Sequence, residues 1–183
     1  MTDRSGKLLD LGHRRIAALA GRSDSFRARQ RLSGYNAALR KRGVTRDRQL
    51  VVDDLTTSGQ ARAAMSDLMK LHSPPTAVLA LNLGISTGVL LDRIDNQRQL
   101  AYISLDESEL SAGLHISAVV RDPEEVGRQA ALLAIARVAE PELPPRTVTL
   151  SSHLIKRGSG EIPPEESAIP GDAIRQHSAP VPT

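Results

Sequence analysis

A chain of 183 residues, 40% hydrophobic and 25% charged, suits one compact domain at about 150 residues per domain and is too apolar for wholesale disorder. It has no cysteine, which excludes disulfides, thiolate metal sites and a cysteine nucleophile. The formal charge is only +3, no run approaches the ~18 apolar residues of a membrane span, and residues 1–7 lack the apolar stretch of a secretory signal, so a cytoplasmic protein without membrane contact is expected.

In chain order, Arg15 to Ala20 (RIAALA) reads as a short buried strand ended by Gly21. Ser25 to Arg42 reads as a helix, because Ala28, Leu32, Tyr35 and Leu39 recur at helical spacing, with Gly43 at the C-cap. Arginines crowd this stretch: Arg22, Arg27, Arg29, Arg31, Arg40, Arg42, Arg46 and Arg48, with Lys41. They read either as a phosphate-binding face or as a solvated helix surface, and spacings that spread around the helix favour the second. Gln49 to Val52 is a second strand, closed by Asp53 and Asp54. Thr56, Thr57 or Ser58 can cap the next helix, whose face is Ala61, Ala64, Met65 and Leu68 and which Ser73-Pro74-Pro75 stops. Thr76 to Leu81 (TAVLAL) is a third strand, apolar on both faces as in a covered parallel sheet. A short helix over Ser86 to Ile94 and a fourth strand over Leu100 to Leu105 follow, then Asp106-Glu107.

This βαβαβαβ series predicts an α/β fold with a Rossmann-like parallel sheet, in which ligands bind beyond the carboxyl ends of the strands. Those ends carry Gly21, Asp53-Asp54, Asn82 and Asp106-Glu107. Ser111 to Val120 reads as a loop and a short strand. Asp122-Pro123-Glu124-Glu125 starts a helix to about Ala139, apolar on most sides and so in need of cover on more than one face. Pro141, Pro144 and Pro145 form a linker, Thr147 to Lys156 holds one or two strands, and a Pro-rich tail over 161–183 is expected to be disordered from Glu165 onward.

Gly84-Ile85-Ser86-Thr87-Gly88 matches G-x-S-x-G, and chain order would allow Ser86, Asp106 and His115 or His153 to form a hydrolytic triad. Asn82 and Leu83 displace the turn from Ser86, no oxyanion loop is evident, and the chain is short for that fold, so Ser86 reads instead as a residue near a helix start. Asp53, Asp54 and Asp106 could hold Mg²⁺, but no lysine stands close by in the pattern. His13, His72, His115, His153 and His177 lack metal-ligand spacing, and no phosphate-loop motif occurs. No cofactor and no metal are expected. Phe26, Tyr35 and Tyr102 are the only aromatics, few for a site of stacked rings.

Five segments together resemble one family. Leu11-Gly12-His13-Arg14-Arg15-Ile16-Ala17 resembles the G-H-R-x-I opening of the C-terminal subdomain of LacI-family repressors. Arg31 to Leu39 (RLSGYNAAL) is similar to their R-x-x-G-[FY]-x-x-A-[LM] helix, and Pro75 to Asn82 with Gly88 to P-T-A-[IV]-x-x-x-N-D-x-x-A-x-G. Tyr102 to Asp106 resembles V-x-[GA]-[FY]-D, and Ser117 to Pro123 resembles L-T-T-[VI]-x-Q-P. Leu83, Leu105 and Asp122 depart from the usual Asp, aromatic and Gln. The likeness runs from about Lys7 to Ser159.

The resemblance implies the C-terminal lobe of a type I periplasmic-binding-protein-like sensor over residues 1–160, truncated of most of its N-terminal lobe and of the helix-turn-helix headpiece. It further implies no enzymatic activity, a small-molecule effector (sugar, sugar derivative or nucleoside), a homodimer, and operator DNA reached only through a headpiece absent from this sequence. The helix from Pro123 belongs, in that family, to the other lobe. Carried over by position, Arg31, Asn82 and Asp106 are the effector contacts, with Ser25 and Asp54 at two further cleft positions; alternatively Arg31 and Asp106 form only an ion pair at the sheet edge. A periplasmic-type sugar-binding protein is the second reading, disfavoured by the missing signal and the few aromatics.

Overall fold

The computed structural model describes residues 4–164; the tail expected to be disordered lies outside the described residues. Among them, six strands form one sheet in the order β2-β1-β3-β4-β5-β6. These are β1 (Ile16–Leu19), β2 (Val51–Val52), β3 (Ala77–Ala80), β4 (Ala101–Ser104), β5 (Ser117–Val120) and β6 (His153–Ile155). The first five run parallel, and β6 returns antiparallel against β5. The helices are α1 (Arg4–Asp10), α2 (Phe26–Lys41), α3 (Ser58–Leu68), α4 (Leu83–Asp95), α5 (Leu110–Gly113) and α6 (Pro123–Ala139).

Strand residues alternate between two cores. Ile16, Ala18, Ala77, Leu79 and Ile103 pack with Leu8 and Leu9 of α1 and with Tyr35, Ala38 and Leu39 of α2. Ala17, Leu19, Val78, Ala80 and Tyr102 face α3 and α4 through Ala61, Met65, Ile85 and Val89. Cover on both faces is why the strands read as unbroken apolar runs. The small residues at Ala17, Ala18, Ala77 and Ala80 keep the helices close to the sheet. Helix α4 crosses α3 at Gly88, where a Cβ would lie 2.2 Å from the Ser58 carbonyl oxygen; only glycine admits that approach.

Several boundaries differ from the sequence reading. Helix α4 starts at Leu83, not Ser86, because the Asn82 side-chain oxygen accepts the Ile85 N–H at 2.9 Å and caps it. The second strand is only Val51–Val52, because Asp47 caps a 3-10 turn over Arg48–Leu50 through the Gln49 N–H. Helix α3 opens at a reciprocal Thr57–Gln60 capping box and ends at Leu68, before the prolines expected to stop it. Within 111–120, α5 precedes β5, and of Thr147 to Lys156 only His153–Ile155 is strand.

The chain after β6 folds back onto the sheet. Ser159 Oγ donates to the Tyr102 carbonyl at 2.6 Å and accepts the Ser117 N–H at 2.8 Å. His13 bonds Thr76 Oγ1 and the Ile162 carbonyl at 2.9 and 2.8 Å. Helix α6 is different in kind. Asp122 caps it and Pro123 opens it, but none of its residues is buried, and Val126, Leu132, Ile135 and Val138 stay exposed.

Candidate functional site

The strand order reverses direction between β1 and β3. From β1 the chain moves outward to β2 through α2 on one face of the sheet; from β3 it moves the other way to β4 through α4 on the opposite face. A crevice opens at such a switch point, beyond the carboxyl ends of the two strands. A cavity of about 600 Å³ lies there, lined among others by Gly21 after β1 and Asn82 after β3. The two loops touch: a Cβ on Gly21 would lie 2.9 Å from Asn82 Nδ2.

Arg31, on the second turn of α2, lines this cavity. Its guanidinium donates to both Asp106 carboxylate oxygens at 2.8 Å and also to the Leu81 carbonyl. Both side chains are largely buried, at 12% and 17% exposure. Three of the five guanidinium N–H groups are thereby used, and two are left for a ligand. Asp106 follows β4 and is shaped by Ser104, whose hydroxyl donates to the Asp106 carbonyl at 2.6 Å. Arg121 places a second guanidinium on the same carboxylate. Next to it, Arg157 grips Glu107 with bonds of 2.9 and 3.1 Å and the Ile116 carbonyl at 2.9 Å, so this corner is braced from two sides.

Ser25 also lines the cavity and caps α2, its hydroxyl accepting the Ala28 N–H at 3.5 Å. Asn82 is half spent: Oδ1 caps α4, while Nδ2 donates to none of the described residues. Asp54 does not line the cavity. It sits at φ +57 and accepts the Ser23 N–H at 2.7 Å, which holds its carboxyl below the usual carboxylate range. Its place is in fixing the 22–25 loop. Arg31, Asn82, Asp106 and Ser25 are therefore brought together, with Asp106 behind Arg31, and Asp54 stands to one side.

Sequence reasoning missed Arg22, Phe26, Arg27 and Thr56 as lining residues. A signal was available: in this topology the loop after the first strand and the first turn of the following helix face the crevice. Phe26 is 70% exposed, whereas Tyr35 and Tyr102 are buried in the two cores.

The hydrolase constellation does not form. Ser86 lies inside the first turns of α4, 7% exposed, and its hydroxyl meets the Tyr102 phenol. Tyr102 also donates to the Ser86 carbonyl at 3.1 Å, and burial pushes its phenol up to about 12. No histidine is bonded to Ser86 among the described residues, so nothing there could take its proton. Nor do three or more His, Asp or Glu side chains of the described residues gather as metal ligands do.

The model of the periplasmic binding protein-like domain matches residues 6–160. The ribose operon repressor of Escherichia coli (strain K12) is 30% identical over 83% of this chain and 48% of its own length. The HTH-type transcriptional regulator CelR of Thermobifida fusca is 31% identical over 84% and 47%. The chain thus spans about half the length of the curated relatives it matches. Among solved structures, a transcriptional regulator CelR–cellobiose complex superposes with a TM-score of 0.77 at 29% identity, covering 85% of this chain and 50% of that one. A regulatory protein of the LacI family from Chloroflexus aggregans gives 0.74 at 27%, covering 86% and 61%.

Proposed function

The chain belongs to the periplasmic binding protein-like family, in the branch of the LacI-type regulators, and on that premise we propose that residues 1–160 are the effector-sensing part of a LacI-type transcriptional regulator, taking a small polar metabolite (sugar, sugar derivative or nucleoside) at the switch-point cleft. What carries the reading is the Arg31–Asp106 fork at the back of that cavity. A planar guanidinium fixed from behind by a carboxylate is a preorganised donor for paired hydroxyls or a carboxylate, and it needs no ordering when ligand arrives. Asn82 Nδ2 and the Ser25 hydroxyl stand beside it with hydrogen-bonding capacity to spare. The related regulator solved with cellobiose supports a ligand of the sugar class.

On this reading the regulator acts in the cytoplasm as a homodimer, and the effector shifts its affinity for operator DNA through differential binding to two conformations. Operator recognition belongs to a headpiece rather than to this lobe: among the described residues no two α-helices follow one another without a strand between them, as a helix-turn-helix requires.

Calorimetric titration of the chain with sugars, sugar derivatives and nucleosides tests the site. Asp106→Asn keeps the shape and releases the fork, and should weaken binding about ten- to a hundredfold, the worth of a charged hydrogen bond. Arg31→Lys should weaken it similarly, because an ammonium cannot present two parallel N–H groups. A bound metabolite indifferent to both substitutions contradicts the assignment. Loss of the folded state in both variants would make the pair structural.

A further inference from the structure

The hydrogen-bonding ledger of the cleft is unbalanced. Three arginines line it, Arg22, Arg27 and Arg31, and no Asp or Glu does. Arg22 is neutralised by Asp24, whose carboxyl the pairing holds below its usual range. Arg31 shares Asp106 with Arg121, so two guanidiniums divide one negative charge. Arg27, in the first turn of α2, is exposed and pairs with no described residue. The acceptors are few: the Ser25 and Thr56 hydroxyls, the Leu81 carbonyl, already used by Arg31, and Asn82 Oδ1, already used by the α4 cap.

A neutral polyol brings hydroxyls that must both donate and accept. Its donors would find no free carboxylate here, and the surplus cations would gain nothing from it. A ligand that supplies the acceptors and a negative charge satisfies both sides. Granted that this cleft is the effector site, we infer that the effector is an anionic sugar or nucleoside, bearing a phosphate ester or a carboxylate, whose charged group is met by Arg27 while Arg31 takes the hydroxyls and the exposed Phe26 ring covers the apolar face of the ligand. Three of the eight arginines in this stretch, Arg22, Arg27 and Arg31, are thus cleft chemistry. Of the other five, Arg40 is exposed near the far end of α2, and Arg42 pairs with Asp10.

The test is calorimetry on the full chain at low salt. The neutral probes are glucose, ribose and adenosine. The anionic ones are glucose 6-phosphate, ribose 5-phosphate, gluconate and adenosine monophosphate, with inorganic phosphate alone as a further arm. At least one anion should bind about tenfold or more tightly than its neutral parent, with the margin shrinking as salt rises. A phosphate ester ahead of gluconate identifies a phosphate as the charged group, and the reverse order a carboxylate; either supports the inference. Arg27→Gln should erase most of the margin by weakening the anion far more than its neutral parent, and Arg40→Gln, the same charge loss away from the cleft, should leave the margin intact. Neutral parents binding as tightly as their anions overturn the inference and leave the effector cleft standing. So does inorganic phosphate binding as tightly as any ester, the mark of a non-selective basic surface, or Arg27→Gln weakening parent and anion alike. No binding by any probe, neutral or charged, overturns the effector cleft and the inference together.

Discussion

His13 is fully buried between Thr76 and the Ile162 carbonyl, tying the start of β1 to the chain that folds back after β6. Burial lowers its pKa from the ordinary 6.5, outweighing the carbonyl's opposing pull. The folded state therefore holds His13 neutral at pH values where the unfolded chain already takes up a proton. Its contribution to stability is complete above the unfolded value and is lost as pH falls below it. The unfolding midpoint in urea should drop between pH 7 and pH 5, and His13→Gln should flatten that slope by up to about one proton. An unchanged slope in the variant would assign the pH dependence to other groups. His13 was legible only as part of a motif, since nothing in its immediate sequence reveals a partner 149 residues away. Asn82 and Asp106 were legible because they follow strand ends, and Arg31 only through the resemblance of its segment to a family helix. Arg27 and Phe26 were signalled only by topology, as members of the first turn of α2; which of that turn's side chains meet the cleft is set by the Ser25 cap and the Arg22–Asp24 loop.

At the scale of elements, α2 and α3 followed from helical periodicity and a recognisable cap, and β3 from its continuous apolar run. The start of α4 did not, because Leu83 and Gly84 look like loop until Asn82 is known to cap Ile85. That same cap carries the G-x-S-x-G segment into a helix and removes its catalytic meaning. Helix α6 was legible in its bounds and in its shortage of partners. Leu132, Ile135 and Val138 are 50%, 66% and 82% exposed, and burying each such side chain is worth about 1.5–3 kcal/mol. Several on one helix make association the expected state. Sedimentation should show the chain self-associating at high concentration, and paired Ile135→Glu and Val138→Glu substitutions should shift it toward monomer without disturbing the sheet. A clean monomer of the unsubstituted chain would contradict this.

For the whole molecule, alternation of strands and helices implied a parallel sheet, and right-handed crossovers then leave little freedom. The order in which the strands line up, with the reversal between β1 and β3, is what turns separate polar residues into one cleft. Gly21 and Asn82 are 61 residues apart in sequence and meet because their strands are neighbours. The antiparallel β6 and the fold-back of Ser159 were not legible, because their bonds are made to distant backbone and not to a local pattern. The central claim is that the Arg31–Asp106 corner of the switch-point cleft receives the effector. Amide chemical-shift mapping of the labelled chain, titrated with the tightest-binding sugar or sugar anion, tests it most directly. The account predicts that the largest perturbations fall on residues 21–31, 55–56, 81–82 and 106, at the two ends of β1 and β3 and the corner after β4. Perturbations centred on α6, or on the α4–α5 surface around Arg93 and Leu114, with the cleft residues silent, would contradict it.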